Sequence, residues 1–229
     1  MDIPFFQKLT LLDYPSKTAA TVFTYGCNFR CPFCHNSALV VRPKEEMIDP
    51  DEFFHFLKGR KNLLDGVCIT GGEPLMQPDL PEFISKIKEL GFLVKLDTNG
   101  SFPERLDTLL EQKLVDYVAM DIKNSPDKYA FTAGLKTLDI SKIQKSIDLI
   151  KEKAPDFEFR TTAVKEFHET SDFAEIGKWL CGNVKYFIQC FKDSGDILQD
   201  GLSAFDENQL TAFKQAALPY LPLTELRGI

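Results

Sequence analysis

Hydrophobic and polar positions along the chain switch repeatedly between two periods. Short runs rich in β-branched and aromatic residues lie at 19–25 (AATVFTY), 66–70 (GVCIT), 92–97 (FLVKLD), 115–122 (VDYVAMDI), 157–164 (FEFRTTAV) and 184–191 (VKYFIQCF), each about the length of a strand. Between them, helical patterns occupy 51–60, 79–90, 103–113, 139–153, 171–181 and 206–218. Several boundaries carry their own chemistry. Pro50 precedes the first helix, Asp79 is placed to cap the second, Pro81 sits in its first turn, Gly91 follows its end and Pro155 closes the fourth. Six β/α repeats predict an α/β fold with a parallel sheet and outer helices. Six units fall short of a closed eight-unit barrel, which leaves an open doubly wound sheet or a partial barrel. In either, functional residues gather at the C-terminal ends of the strands.

No linker, low-complexity tract or charge block interrupts the pattern, so residues 1–229 are expected to form a single domain with a short N-terminal arm. The chain has 27 Lys and Arg against 34 Asp and Glu, a net charge of −7, which argues against nonspecific binding to nucleic acid or an anionic membrane. No apolar stretch approaches the ~20 residues that span a bilayer. The opening MDIPFFQKLTLLDYP has an early Asp, two Pro and no basic region ahead of an apolar run, so it does not read as a signal peptide, and the expected location is cytoplasmic. In a reducing compartment the six cysteines are not read as three disulfides.

Three of those cysteines crowd into eight residues: Cys27, Cys31 and Cys34. Three thiolates on one loop suit a soft metal centre. A structural zinc site wants a fourth ligand, for which only the adjacent His35 or the distant Cys68 is available. An iron–sulfur cubane can instead be held at three irons, with its fourth left open. The spacing is not that of a ferredoxin.

The other signatures fall at the same edge. Gly71-Gly72-Glu73-Pro74 follows the second strand, Asp97-Thr98-Asn99-Gly100 the third and Asp121-Ile122-Lys123 the fourth. Paired glycines let backbone approach a ligand closely, and Glu73 can accept from an ammonium group; the plainer reading is a tight turn with Glu73 in water. Asp121 and Lys123 share one face of an extended segment. Arg160, inside an apolar strand, needs an anionic or hydroxyl partner if it faces inward; Gln189 is a weaker case of the same kind. Cys68, Cys190 and Met120 read as core, and His55 and His168 have no matching partners.

The cysteine spacing, with Phe33 before the third cysteine, resembles the radical S-adenosylmethionine superfamily. The stretch LTLLDYPSKTAATVFTYGCNFRCPFCHNSALV is similar to anaerobic ribonucleoside-triphosphate reductase activating proteins and to glycyl-radical-enzyme activases at large. Leu11 to Pro15 and Cys34 to Asn36 carry this likeness, although Ser16 stands where a glycine is expected. The resemblance spans most of residues 9–123 and thins beyond residue 160. It implies a partial (β/α)6 barrel and a [4Fe–4S] cluster on Cys27, Cys31 and Cys34. It also implies S-adenosylmethionine bound on the open iron, near Phe33, Gly71, Gly72, Glu73, Asp97, Thr98, Asp121 and Lys123. Arg160 and Gln189 join these as candidates for its carboxylate or ribose. The implied substrate is a backbone glycine of a large partner enzyme, with the electron coming from a low-potential donor such as flavodoxin or ferredoxin. No cysteine-rich extra domain is expected. Polar loop 192–205 is expected to order when the partner docks. Two alternatives stand beside this reading: a compact enzyme of the same superfamily acting on a small molecule such as a deazapurine precursor, and a non-catalytic iron–sulfur or zinc-binding protein.

Overall fold

The computed structural model describes residues 1–41, 47–193 and 195–229. Its strands lie in one sheet in the order in which the chain makes them: β1 (Phe5–Thr10), β2 (Ala19–Thr24), β3 (Gly66–Gly71), β4 (Leu93–Thr98), β5 (Tyr117–Asp121), β6 (Phe157–Ala163), β7 (Tyr186–Cys190) and β8 (Thr224–Arg227). β1 runs antiparallel to β2, and every later pairing is parallel. The helices are α1 (Ala38–Val41), α2 (Pro50–Lys58), α3 (Leu80–Glu89), α4 (Pro103–Glu111), α5 (Tyr129–Thr132), α6 (Ile140–Lys153), α7 (Thr170–Leu180) and α8 (Glu207–Ala217). The six expected strands are β2 to β7 and the six expected helices are α2, α3, α4, α6, α7 and α8, with boundaries agreeing to within two residues. The N-terminal arm contains a strand of its own, and β8 is an addition at the far edge.

Strand alternation divides the sheet into two unlike faces. On one, Val22, Ile69, Val94, Leu96, Val118, Met120 and Ile188 are buried in the main hydrophobic core with the helices. There Phe53 of α2 stacks on Phe83 of α3 with ring centroids 5.7 Å apart. The other face is polar. Register sets Thr21 beside Cys68, Cys68 beside Lys95, Lys95 beside Tyr117, and Asp121 beside Arg160. A partial barrel with a charged interior results, where an apolar one would have packed shut.

The floor of this interior is filled from the β1–β2 turn. Tyr14 packs with Ala19, Tyr117 and Ala119, its ring 6.0 Å from that of Tyr117, and a side chain at Gly66 would strike it. Asp13 accepts a 2.5 Å hydrogen bond from the Thr21 hydroxyl. Among the described residues nothing pairs the edge strands β1 and β8 with each other, so the barrel stays open along one side. No described helix is long and apolar enough to cross a membrane.

Candidate active site at the strand ends

A cavity of about 420 Å³ opens at the C-terminal ends of the strands. Cys27, Cys31, Phe33, Cys34, Gly71, Gly72, Asp97, Thr98, Asp121, Lys123, Arg160 and Gln189 all line it. Of the residues expected at the site, Glu73 is the one that does not.

The cysteine loop is clamped from several elements. Gly26 N–H donates to the Leu39 carbonyl (2.9 Å), Arg30 N–H to Ala133 (3.0 Å) and Gln199 N–H to Pro32 (3.0 Å). Asn36 donates to the Gly71 carbonyl at 3.1 Å. Asn28 donates to Ser101 at 2.8 Å and accepts from Asn99 at 2.9 Å. The described part of loop 192–205 is therefore already seated, through Gln199 on the cysteine loop and through Ser203 N–H on Glu166 at 3.0 Å. Lys165 N–H also donates to the Ser203 carbonyl at 3.1 Å.

Burial pushes the Cys27 thiol up to about 12 and Cys31 up to about 11, and it raises Cys34 as well; the Lys123 ammonium opposes the rise at all three. The donor set fits a [4Fe–4S] cluster. Three soft sulfurs share one cavity wall beside a cation, while no three Cys, His, Asp or Glu side chains among the described residues converge on a single ion. A cubane places each thiolate on a different iron, so it asks for no such convergence. Phe33 is buried with its ring 5.7 Å from Phe167, which packs the loop onto the end of β6.

The glycine turn is defined by close approach. Gly71 has φ +112°, and a side chain there would fall on the Thr24 backbone; at Gly72 it would fall on the Gly26 carbonyl. Glu73 has no exposure. Its carboxylate accepts from Leu75 N–H (3.1 Å), the Thr98 hydroxyl (2.8 Å) and Asn99 N–H (2.6 Å). Burial pushes its pKa up to about 7 against these three donors. Glu73, expected to meet a ligand ammonium, has its carboxylate contacts here within the chain. The carboxylate is occupied in joining the β3 turn to the end of β4, and what faces the cavity is the backbone it supports. Glu73→Gln should destabilise the fold by about 2 kcal/mol, because one face of the amide sets a donor against buried donors. Chemical denaturation measures the loss, and an unchanged midpoint would place the carboxylate outside this junction.

Opposite the thiols, charges alternate. Lys95, buried, pairs with Asp97; Arg160 reaches Asp97 at 3.4 Å and Asp121 at 3.0 Å; Lys123 reaches Asp121 at 3.0 Å. Burial alone would raise both carboxyls. The Arg160 guanidinium together with Lys95 at Asp97, and with Lys123 at Asp121, outweighs it and holds both below the usual carboxylate range. Beneath Arg160, Glu158 accepts from Arg227 at 2.7 and 2.8 Å and from the Tyr117 hydroxyl at 2.9 Å. Such a wall offers both signs of charge within one cavity, as a zwitterionic amino-acid group requires.

Asp13, Asn36, Thr70, Asn99 and Thr162 also line the cavity, and sequence reasoning did not select them. Thr162 had a usable signal, since it lies two residues beyond Arg160 on the same strand face. His168 is a further addition: it is buried behind the wall, with its Nε2 2.9 Å from the Lys123 carbonyl.

Comparison with known proteins extends these observations. The Radical SAM superfamily model matches residues 21–179. A Methanocaldococcus jannaschii protein, provisionally named a glycyl-radical enzyme activating enzyme, is 37% identical across 96% of this chain and 93% of its own. A pyruvate formate-lyase-activating enzyme of Listeria monocytogenes is 36% identical across 47% of this chain and 48% of that protein. The crystal structure of Streptococcus suis SuiB bound to precursor peptide SuiA shares the fold, with a TM-score of 0.69 at 15% identity over 90% of this chain and 47% of that one. Because the family match runs from β2 into α7, and so takes in the thiol loop and the strand ends up to β6, the chain belongs to the radical SAM superfamily, whose members use a [4Fe–4S] cluster and S-adenosylmethionine.

Proposed function

We propose that the chain is a single-domain cytoplasmic activase that installs a glycyl radical on a partner enzyme. The observation that carries this reading is the open side between β1 and β8, which leaves the cavity beside an unclosed barrel wall. Hydrogen abstraction needs reacting atoms within ~3–3.5 Å, and a side opening admits a backbone loop to that range. The near full-length likeness to an activating enzyme supports the same reading.

In this reading Cys27, Cys31 and Cys34 hold the cluster. When bound, cluster and S-adenosylmethionine together supply a 5′-deoxyadenosyl radical and methionine at the cost of one electron. Gly71 and Gly72 bring bare backbone against the methionyl group. Lys123 and Arg160 face its carboxylate, with Asp121 and Asp97 holding those cations in place, while Thr98 and Gln189 offer hydrogen bonds to the remainder. Phe33 keeps the thiol loop seated.

Anaerobic incubation of the loaded, reduced protein with S-adenosylmethionine and a candidate glycyl-radical enzyme should give a doublet glycyl signal by electron paramagnetic resonance. Deuterium should pass from labelled glycine into 5′-deoxyadenosine. Turnover of a small purine-like substrate, with every candidate partner left radical-free, would instead make this a small-molecule enzyme. Cluster binding with no cleavage at all would make it non-catalytic.

A further inference from the structure

Cys27 differs from the other two loop thiols in what surrounds its sulfur. At Cys31 and Cys34, a backbone N–H and the charge of Lys123 oppose the effect of burial. The Cys27 Sγ accepts from Phe29 N–H at 3.3 Å and, in addition, from the side-chain amide of Asn99 at 3.8 Å. Asn99 is buried and lines the same cavity. Its amide is held on both sides. The Oδ1 accepts from Ser101 N–H at 2.9 Å and from the Ser101 hydroxyl at 2.6 Å. The Nδ2 donates to Asn28 Oδ1 at 2.9 Å, and Asn28 donates in turn to the Ser101 hydroxyl at 2.8 Å. This closed set of bonds decides which end of the amide is nitrogen, and it leaves the second N–H for the Cys27 sulfur.

We infer that Asn99 is a positioning residue for the cluster: its side-chain amide donates to the Cys27 thiolate and raises the potential at which the cluster takes up an electron. The inference rests on the reading of the three thiols as cluster ligands. A bond to a neutral thiol at this distance is weak, and the negative charge of a ligand thiolate strengthens it. Reduction adds one negative charge to a buried site, and the ligand sulfurs share it. A donor aimed at one of them stabilises the reduced form more than the oxidised form. No bond is made or broken, and the proton stays on the Asn99 amide. Glu73 acts on Cys27 in the opposite sense, since its carboxylate raises the thiol's pKa. Asn99 bridges the two groups, with its backbone N–H on Glu73 at 2.6 Å and its amide on the sulfur. The turn after β4 thereby serves both halves of the site, Thr98 on the cofactor side and Asn99 on the cluster side.

The test is a dithionite titration of the cluster-loaded protein without S-adenosylmethionine, read by the electron paramagnetic resonance signal of the reduced cluster. At the wild-type midpoint, the reduced-to-oxidised ratio in Asn99→Leu should fall about tenfold, the scale of one hydrogen bond to a charged group, which is a midpoint lower by about 59 mV for one electron. Thr162→Val, which removes a cavity-lining hydroxyl from a different strand, should keep the wild-type midpoint. A second measurement needs no variant. Wild type isotope-labelled at the asparagine side-chain amide should show a nitrogen coupling to the reduced cluster by electron–nuclear double resonance, and Asn99→Leu should lose it. If Asn99→Leu takes up no cluster, the wild-type coupling decides the matter. An unchanged midpoint in Asn99→Leu at full iron content would overturn the inference, as would an equal fall in Thr162→Val or the absence of the coupling in wild type. A wild-type protein that binds no [4Fe–4S] cluster at all would remove the underlying reading, a result distinct from a cluster whose potential ignores Asn99.

Discussion

Replacing Cys27, Cys31 or Cys34 with serine should each abolish cluster binding and take S-adenosylmethionine cleavage to background. The three sulfurs share one cavity wall, and the other three cysteines, Cys68, Cys181 and Cys190, do not line it. Anaerobic reconstitution of wild type should give about four irons per chain, as a cubane requires. Iron and sulfide analysis with visible absorption reads binding, and 5′-deoxyadenosine release reads chemistry. Cys68→Ser and Cys190→Ser should keep both. Cys68 is fully buried with its sulfur 3.8 Å from the Lys95 ammonium, and Cys190 makes weak contacts to the Phe191 and Phe205 carbonyls. Retention of a full cluster in any one of the three loop variants, or binding of a single zinc in place of iron, would contradict this assignment.

Arg160→Leu should produce a large loss of stability, because it strikes the cation that joins the polar interior. Arg160 bonds to Asp97 and Asp121 and lies 4.0 Å from Glu158, so its removal takes away the cation all three share and leaves each with one other partner, Lys95, Lys123 and Arg227. Breaking buried ion pairs by removing one partner costs about 3–5 kcal/mol, and the cations that remain hold this loss to the lower end. The pH dependence should weaken. In wild type, Asp97 and Asp121 sit below their ordinary pKa, so they contribute stability above about pH 4 that is lost as pH falls toward their folded values. In the variant the strongest lowering influence is gone and both move up, with Lys95 and Lys123 still opposing burial. The loss should therefore be full at neutral pH and shrink as pH falls through the carboxylate range and protons are taken up. Denaturation midpoints across that range test this, and a pH-independent loss would mean that Arg160 acts by packing alone.

The elements that were legible in the sequence are those whose periodicity reflects packing on the outer helices. Val94 and Leu96, or Val118 and Met120, mark strands whatever stands on the other face. β1 was not legible as a strand because it is an edge with five of its six residues at least partly exposed, so burial imposes no pattern on FFQKLT. TELR of β8 is too short and too polar for any periodicity. The cavity residues that announced themselves did so through glycine pairs, clustered thiols or charge at strand ends. Thr70 and Thr162 are ordinary strand residues, and only the inward register gives them a place in the wall. Glu73 shows the limit in the other direction. Its motif was readable, but which atoms of the turn face the cavity depends on Thr98 and Asn99, about 25 residues away on the next strand.

Because the sheet is laid down in chain order, it can be assembled strand by strand as the polypeptide leaves the ribosome. The thiol loop is made early and its enclosure late. Ala133, Phe167 and Gln199, which hold the back of the loop, follow Cys34 by as many as 165 residues (199 − 34). At ~5–20 residues per second that interval is roughly 10–30 s of synthesis. Throughout it the three sulfurs stand on a half-built sheet, open to oxygen and to one another. Recovery of active protein should accordingly depend on the redox conditions during translation itself, and reduction applied only after purification should recover less.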